Sequence, residues 1–155
     1  MSGSTEQKRE GKIQEMTRKV NLTLRHDLAF LVNFDSRKIA AVNTDESPES
    51  GGSGEGPDAS SLLAAAIGNC LSASLAFCLK KSRLELKDLK TNVEVKIARN
   101  EKGYLRVKQL KVKMHPEFKS PGDADRTERC KQIFQEYCIV TEAVRQGIPV
   151  EVEVE

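Results

Sequence analysis

The stretch GPDASSLLAAAIGNCLSASLAFCLKKS, residues 56–82, decides the fold. No charged residue interrupts its apolar run from Leu62 to Leu79, which predicts one long helix that ends near Lys80 to Ser82. The run also contains Gly, Asn and Ser and has no flanking Trp or Tyr, so a buried helix is favoured over a membrane span. The chain enters the helix through Pro57, and its candidate N-caps are Asp58, Ser60 and Ser61.

Cys70 lies in the middle of this helix, beside Asn69. Leu or Ile at this position would bury more apolar area, so Cys70 is either a small buried residue or a reactive thiol. A reactive thiol needs a nearby cation, because the helix dipole acts only over the first turn and Cys70 is about ten residues further in. Arg25, in the strands before the helix, is the candidate cation. The pKa of Cys70 is then expected to fall below that of a free cysteine.

The 155 residues carry 25 Lys and Arg against 23 Asp and Glu, a net charge of +2, with 5% aromatic residues. No basic block is present, so nucleic-acid binding is not expected. Residues 1–16 are polar and lack the apolar segment of a signal peptide, which predicts a flexible tail before one domain at residues 17–155. We therefore expect a soluble, cytoplasmic protein that is not membrane-bound and whose cysteines are reduced.

Alternating apolar residues predict antiparallel strands on both sides of the long helix. Before it, residues 19–34 predict a hairpin with its turn at Arg25–Asp27, residues 37–42 a third strand, and residues 43–56 a polar loop. After it, residues 93–97 and 104–114 predict two strands joined by a turn at residues 100–103, with a bulge at Lys108–Gln109.

The C-terminal part predicts two helices and a strand. Residues 120–138 open with an Asp cap and continue at helical spacing, residues 139–147 form a short helix stopped by Gly147, and residues 148–155 alternate as a closing strand. This order of elements predicts an α+β fold with the central helix packed against antiparallel sheet.

The four cysteines can pair only between segments. Cys70 and Cys78 are eight positions apart on one helix, so their Cα atoms are about 12 Å apart, whereas a disulfide needs them within roughly 7 Å. The same argument excludes Cys130–Cys138 if the second helix is unbroken. Cys78 and Cys130 otherwise fit small buried apolar residues. No CxxC pair is present and the chain has 2 histidines, so no zinc site is expected.

Two motifs resemble a known family. The residues GPDASSLLAAAIGNCLSASLAFCL are similar to the central-helix signature of the OsmC-like family, which includes the organic hydroperoxide resistance proteins. The residues YCIVTEAVRQGIPVEVEV resemble its second signature, although Ile139 stands where Pro is usual. The two motifs, in this order, extend the resemblance over most of residues 17–155.

The resemblance implies an OsmC-like fold, an intertwined homodimer with active sites at the interface, and reduction of organic hydroperoxides without a metal or organic cofactor. An external dithiol would regenerate the enzyme. Cys70 would be the peroxidatic cysteine and Cys138 the resolving one. An arginine of the N-terminal strands would stabilise the Cys70 thiolate, with Arg25 as the candidate and Arg18 and Arg37 as alternatives.

One departure from the family pattern separates two hypotheses. Active members carry a glutamate at the start of the central helix, where this chain has Ser60 and Ser61, with Asp58 and Glu55 nearby in the loop. The retained Cys70 and Cys138 favour a thiol peroxidase. The absent glutamate favours a non-catalytic member that binds a small molecule or a protein.

Overall fold

The chain folds into a three-stranded sheet, a long helix, a two-stranded ribbon and a group of short helices, in that order along the sequence. A computed structural model describes residues 15–155. The predicted tail, residues 1–16, lies outside the described residues except for Glu15 and Met16. The predicted α+β class, with a central helix and antiparallel sheet, is confirmed.

The strands are β1 (Val20–His26), β2 (Ala29–Phe34), β3 (Val42–Thr44), β4 (Leu86–Arg99) and β5 (Leu105–Phe118). The α-helices are α1 (Ala59–Lys81), α2 (Glu128–Ile133) and α3 (Ile139–Gln146). Three short 3₁₀ segments span Pro48–Ser50, Pro121–Arg126 and Phe134–Tyr137.

The N-terminal hairpin contains a bulge at Arg25. Leu24 pairs with Phe30 and His26 with Ala29, so Arg25 has no residue opposite it. The turn itself lies one step further along than predicted, and Asp27 adopts a left-handed φ of 44° there. The hairpin is confirmed, and the bulge gives Arg25 an irregular position beside the turn.

The third strand is shorter and later than predicted. Residues 37–39 form a turn instead of a strand, in which the Ile39 amide donates to the Ser36 carbonyl at 3.3 Å. Pairing with β2 begins only at Val42, and the prediction of a strand at residues 37–42 was therefore wrong. The hydrogen bond within the turn uses backbone N–H and C=O groups that would otherwise be available for pairing with β2.

Helix α1 begins and ends where the sequence predicts. Of the three candidate caps, Asp58 is the N-cap, and its carboxylate accepts a hydrogen bond from the Ser61 amide at 2.7 Å. Its small residues let it approach β4 closely, since a Cβ added at Gly68 would lie 2.8 Å from Val93 Cγ2. By length and composition alone α1 could cross a membrane, yet it packs against β4, β5, α2 and α3 as the core helix of a folded domain does.

The ribbon of β4 and β5 confirms the predicted turn and bulge. Lys96 pairs with Gln109 and Ile97 with Val107, so Lys108 is the extra residue. The bulge reverses the alternation of β5, which places the apolar side chains on both sides of it toward one face.

The second helix does not run unbroken through Cys138. Helix α2 ends at Ile133, a 3₁₀ turn follows, and Cys138 has extended backbone (φ −84°, ψ 103°) as the N-cap of α3. The condition used to exclude a Cys130–Cys138 bond is therefore not met.

The structure instead pairs Cys130 with Cys78 as a disulfide between α2 and α1. This corrects the expectation that both are unpaired, reduced residues, because packing of the two helices brings their Cα atoms to 5.7 Å. The inference that a disulfide must join one segment to the other is confirmed.

Residues 148–155 form no strand within the described chain. The prediction of a closing strand was wrong for the single chain, because no other strand among residues 15–155 pairs with these residues. Its alternating apolar side chains are instead exposed, with Val150 at 79% and Val152 at 78%. An extended segment becomes a strand only when an edge with free N–H and C=O groups lies beside it.

The core lies between α1 and the short helices. Its buried members are Ile67, Leu71, Leu75, Cys78, Leu79, Leu84, Cys130, Phe134 and Cys138. Half-buried residues, Cys70 among them, pack against this cluster. Three of the four cysteines are thus core residues, and the fourth lies at the edge of the core.

Candidate active site

Two predicted site residues, Cys70 and Cys138, come together in the structure. Helix α1 supplies Cys70 and the N-cap of α3 supplies Cys138. Cys70 packs against the buried cluster that contains Cys138, and each thiol shifts the pKa of the other. Neither is in a disulfide; Cys70 is half-buried, and Cys138 is 2% exposed. The break before α3 makes this contact possible, because it lets the chain turn so that the start of α3 meets α1.

The start of α3 surrounds the sulfur of Cys138 with hydrogen-bonding groups. The Thr141 amide donates to Cys138 Sγ at 3.3 Å, and the Cys138 thiol donates to Thr141 Oγ1 at 2.9 Å. The backbone N–H groups of Ile139 and Val140 also act on Cys70, where they lower the pKa of the thiol. The positive end of a helix dipole is therefore directed at both thiols.

The two thiols do not share the same acidity. Burial raises the pKa of Cys70, and the hydrogen bond to Cys138 raises it further, while the amides of Val140 and Ile139 oppose this only in part. Burial also acts to raise the pKa of Cys138, but hydrogen bonds from Cys70 and Thr141 outweigh it and lower the pKa overall. The first proton of the pair therefore leaves Cys138, and the expected low pKa of Cys70 is not found within one chain.

The third predicted residue, Arg25, does not share a cavity with the cysteines of its own chain. It lines a cavity of about 270 Å³ with neighbours from the N-terminal sheet and the following loop, and neither Cys70 nor Cys138 lines that cavity. The alternatives Arg18 and Arg37 are exposed. None of the three arginines is among the groups that shift the pKa of Cys70 within residues 15–155.

The start of α1 carries no carboxylate free to hold an arginine. Asp58 accepts hydrogen bonds from the Ser61 amide and from Ser60 Oγ, at 2.7 and 3.0 Å. These bonds lower the pKa of the Asp58 carboxyl and commit it to capping. Glu55, in contrast, lines the same cavity as Arg25, which makes it the better candidate partner of the two loop carboxylates.

Asp45 organises the loop before α1 and was missed by the sequence reasoning. It is buried and accepts three backbone hydrogen bonds, from Glu46 at 2.8 Å, Ser53 at 3.0 Å and Glu55 at 3.3 Å. Burial acts to raise its pKa, but these amides lower the pKa overall. An acidic residue just before a Gly- and Ser-rich loop was the available signal, since Asp commonly accepts loop amides.

A cavity of about 580 Å³ lies between α1, β5 and α3, and neither Cys70 nor Cys138 lines it. Its walls are mainly apolar, and Thr141, which contacts Cys138 Sγ, belongs to the wall. The polar groups that line it are Lys108, Gln109, Gln135 and Arg145 together with Thr141. Its size and lining are those of a site for a small, largely apolar molecule.

Thr141 is the second site residue that the sequence reasoning missed. The signal was a Cys followed three positions later by Thr at the start of a predicted helix, in the pattern of an N-cap and the residue it caps. Among residues 15–155 there is no group of three or more His, Cys, Asp or Glu side chains that could hold a metal ion.

The comparison with protein families matches residues 52–153 to the family described as OsmC-like protein. The chain belongs to the OsmC-like family. The match includes Cys70, Cys138 and the Ser60–Ser61 pair of the OsmC-like signatures, and Arg25 lies before it. The resemblance carried by the two motifs is thus confirmed. No curated protein matches the chain in sequence.

Solved structures share the OsmC-like fold at low sequence identity. An OsmC-like protein of unknown function from Vibrio cholerae has a TM-score of 0.72 at 15% identity, covering 83% of this chain and 94% of that one. An organic hydroperoxide resistance protein OsmC from Legionella pneumophila has 0.63 at 17% identity, covering 84% and 90%. The organic hydroperoxide resistance protein OhrB of Bacillus subtilis has 0.58 at 20% identity, covering 90% and 98%.

Proposed function

We propose that this OsmC-like protein is a thiol peroxidase that reduces organic hydroperoxides at Cys70 and resolves the product with Cys138. The observation that carries the proposal is the packing together of these two thiols, the only free cysteines of the described chain, each of which shifts the pKa of the other. Packing alone does not require two unpaired thiols in contact at the start of a helix. The names of the Legionella and Bacillus relatives give the substrate class.

The proposed reaction runs in three steps. The Cys70 thiolate attacks the distal oxygen of the hydroperoxide and the O–O bond breaks. Cys70 becomes a sulfenic acid, and the alkoxide takes a proton from solvent and leaves as the alcohol. The Cys138 thiolate then attacks the Cys70 sulfur, the S–O bond breaks, and the hydroxide takes a proton from solvent and leaves as water while the disulfide forms. An external dithiol reduces this disulfide and is itself oxidised.

The acidity of Cys138 fits the resolving role, and that of Cys70 requires a further cation. Within one chain the pair keeps its first negative charge on Cys138. An arginine placed against Cys70 would move that charge to Cys70, because an opposite charge favours the ionised form. Since the neighbours that shift the pKa of Cys70 within one chain are Cys138, Val140 and Ile139, we propose that Arg25 of a second copy supplies the cation.

Exposed apolar surfaces support the homodimer that this requires. On β1, Leu22 and Leu24 are 60% and 58% exposed, although a strand of this pattern normally covers a core. Residues 148–155 offer alternating apolar side chains and are outside any strand or helix. Both features are expected to be buried when two copies intertwine.

The apolar cavity beside Thr141 favours organic hydroperoxides over hydrogen peroxide. Its volume of about 580 Å³ is far larger than hydrogen peroxide needs, and its apolar walls would bind an alkyl or aryl group. Binding energy from that group would hold the peroxide near the cysteines and lower the barrier for attack.

The test is to react reduced protein with cumene hydroperoxide and with hydrogen peroxide, and to count free thiols by mass. One equivalent of cumene hydroperoxide is expected to convert Cys70 and Cys138 to a disulfide, and far faster than hydrogen peroxide does. Cys138→Ser should instead stop at the Cys70 sulfenic acid, and Cys70→Ser should consume no peroxide. Unchanged thiols in the wild type after excess cumene hydroperoxide would refute the proposal.

A second candidate function is a binding module without peroxidase activity. The observations that favour it are the serines at positions 60 and 61, where active members have glutamate, and the raised pKa of Cys70 within the chain. The same apolar cavity would then hold a ligand that is not turned over. Tight binding of cumyl alcohol with no consumption of cumene hydroperoxide would favour this alternative.

A further inference from the structure

A second pair of cysteines crosses the same interface about two helical turns from Cys70. Cys78, near the end of α1, is bonded to Cys130 of α2. Both are almost fully buried, at 5% and 1% exposure, and Ser82 Oγ lies 3.4 Å from the sulfur of Cys130. The peroxidase cycle proposed above uses neither residue.

The two cysteine pairs connect the same two segments of the chain at equal spacing. Cys70 and Cys78 are eight positions apart on α1, and Cys130 and Cys138 are eight positions apart on the opposing segment. Because Cys70 meets Cys138 while Cys78 meets Cys130, the two segments run antiparallel. A bond at Cys130 therefore anchors the start of a short tether that ends at Cys138.

The tether itself has little capacity to hold its shape. It consists of the end of α2, which has 6 residues in all, and a 3₁₀ turn of 4 residues. Helices of this length are not stable alone in water. Phe134 packs into the core, but between Cys130 and Cys138 no covalent link other than the chain itself joins the tether to α1.

We propose that the Cys78–Cys130 disulfide is a positioning cross-link that holds residues 130–138 against α1, so that the Cys138 thiol stays beside Cys70. This inference rests on the proposed function of the Cys70–Cys138 pair. The cross-link is not a relay, because Cys70 and Cys78 are about 12 Å apart along α1 and their sulfurs do not meet. A dithiol that opens it transfers two electrons and two protons to the two sulfurs and becomes a disulfide itself.

The difference in exposure keeps the two pairs separate in reactivity. Cys70 is half-buried and open to an attacking thiolate, whereas Cys78 and Cys130 lie inside the core. A mild dithiol therefore reduces a Cys70–Cys138 disulfide in each cycle and leaves the cross-link closed, since access limits the rate of exchange.

The test compares wild type with the double variant Cys78→Ala/Cys130→Ala. The first readout needs no peroxide: the effective concentration of Cys70 and Cys138 for each other, from their disulfide equilibrium in a glutathione buffer, is expected to fall roughly tenfold as the pair loses its alignment. In single-turnover reactions with cumene hydroperoxide, formation of the Cys70 sulfenic acid should keep its rate. Disulfide formation from it should slow by a similar roughly tenfold factor.

Leu79→Ala is the matched control, because it loosens the same buried contact and keeps the cross-link. It should lower the unfolding midpoint without changing the effective concentration. An unchanged effective concentration in the double variant, or an equal fall in Leu79→Ala, would overturn the proposal, as would rapid alkylation of Cys78 in native, unreduced protein.

If the double variant does not fold, fully reduced wild type offers the same comparison. Its Cys70–Cys138 pair should close roughly ten times more slowly while Cys78 and Cys130 are still thiols than after they have reoxidised, and equal rates would overturn the proposal. If the wild type forms no sulfenic acid but the effective concentration still falls in the double variant, the peroxidase proposal is refuted and the cross-link proposal stands.

Discussion

The sulfur of Cys138 lies 2.9 Å from Thr141 Oγ1 and accepts a hydrogen bond from the Thr141 amide at 3.3 Å. The first turn of α3 is thus built around a thiol in the N-cap position, where Ser, Thr, Asp or Asn is usual. A thiolate is a stronger acceptor for these donors than a thiol, so the helix end and the acidity of Cys138 support each other.

Thr141→Val is expected to raise the pKa of Cys138 and to slow its alkylation at neutral pH severalfold. The substitution removes the hydroxyl that lowers this pKa and keeps the shape of the side chain. Thr141→Ser, which keeps the hydroxyl, is the control and should react like wild type. Alkylation rates with iodoacetamide, assigned to Cys138 by mass mapping, measure the effect, and equal rates for all three proteins would contradict it.

The cysteine pair is expected to titrate in two steps, one below and one above the ordinary thiol pKa. The first proton leaves Cys138, whose pKa is lowered, and the second leaves Cys70, whose pKa is raised by burial and then by the neighbouring thiolate. Ultraviolet absorbance of the thiolate against pH measures both steps in protein that keeps the Cys78–Cys130 bond.

The single variants assign the two steps. Cys138→Ser removes the repulsion on Cys70, so the remaining pKa should be lower than the upper step of wild type. Cys70→Ala removes a hydrogen-bond donor, so the remaining pKa of Cys138 should be higher than the lower step. Two variants with the same pKa as each other and as a free cysteine would show that the thiols do not interact.

Ser60→Glu is expected to raise peroxidase turnover if Arg25 of the partner copy acts on Cys70. The new carboxylate would stand in the first turn of α1, where negative charge is also favoured by about 0.3–1 kcal/mol, and would hold the arginine against the thiolate. Ser60→Gln, without the charge, is the control. In a double-mutant cycle Arg25→Ala should abolish the gain. No change from either substitution would favour the binding module.

Val150→Lys/Val152→Lys is expected to shift the protein from dimer to monomer. The two valines belong to the alternating apolar set of the C-terminal residues and are exposed in the single chain, so charges there would be buried only in the dimer. Glu151→Lys changes the net charge equally on the alternate side and is the control. Light scattering measures the mass, and an unshifted mass for the double variant would exclude residues 148–155 from the interface.

Gly68→Ala is expected to destabilise the fold by about 1–3 kcal/mol, as overpacking does. The added Cβ would stand 2.8 Å from Val93 Cγ2 of β4, and this cost exceeds the gain in helix propensity. Gly122→Ala, where a Cβ meets nothing within 4 Å, is the control. Chemical denaturation followed by circular dichroism measures both, and an unfolding free energy equal to that of wild type would mean that α1 and β4 lie further apart.

Local pattern was enough to predict most of the framework. The long helix with its Asp58 cap, the ribbon with its bulge at Lys108 and the α+β class were all predictable, because apolar period and capping residues act over a few neighbouring positions. The two motifs around Cys70 and Cys138 were enough to indicate the family. Helix geometry alone also excluded a disulfide between Cys70 and Cys78, which are eight positions apart on α1.

The tertiary structure decided what depends on which segments meet. Local spacing indicated helix over residues 120–138 and left open whether it was unbroken. In the structure α2 ends at Ile133, Cys130 is bonded to Cys78, and Cys138 is the cap of α3. The acidity order of Cys138 and Cys70 follows from burial and from amides of α3. Periodicity at residues 148–155 predicted a strand, yet a strand needs a paired edge, and none within residues 15–155 pairs with it.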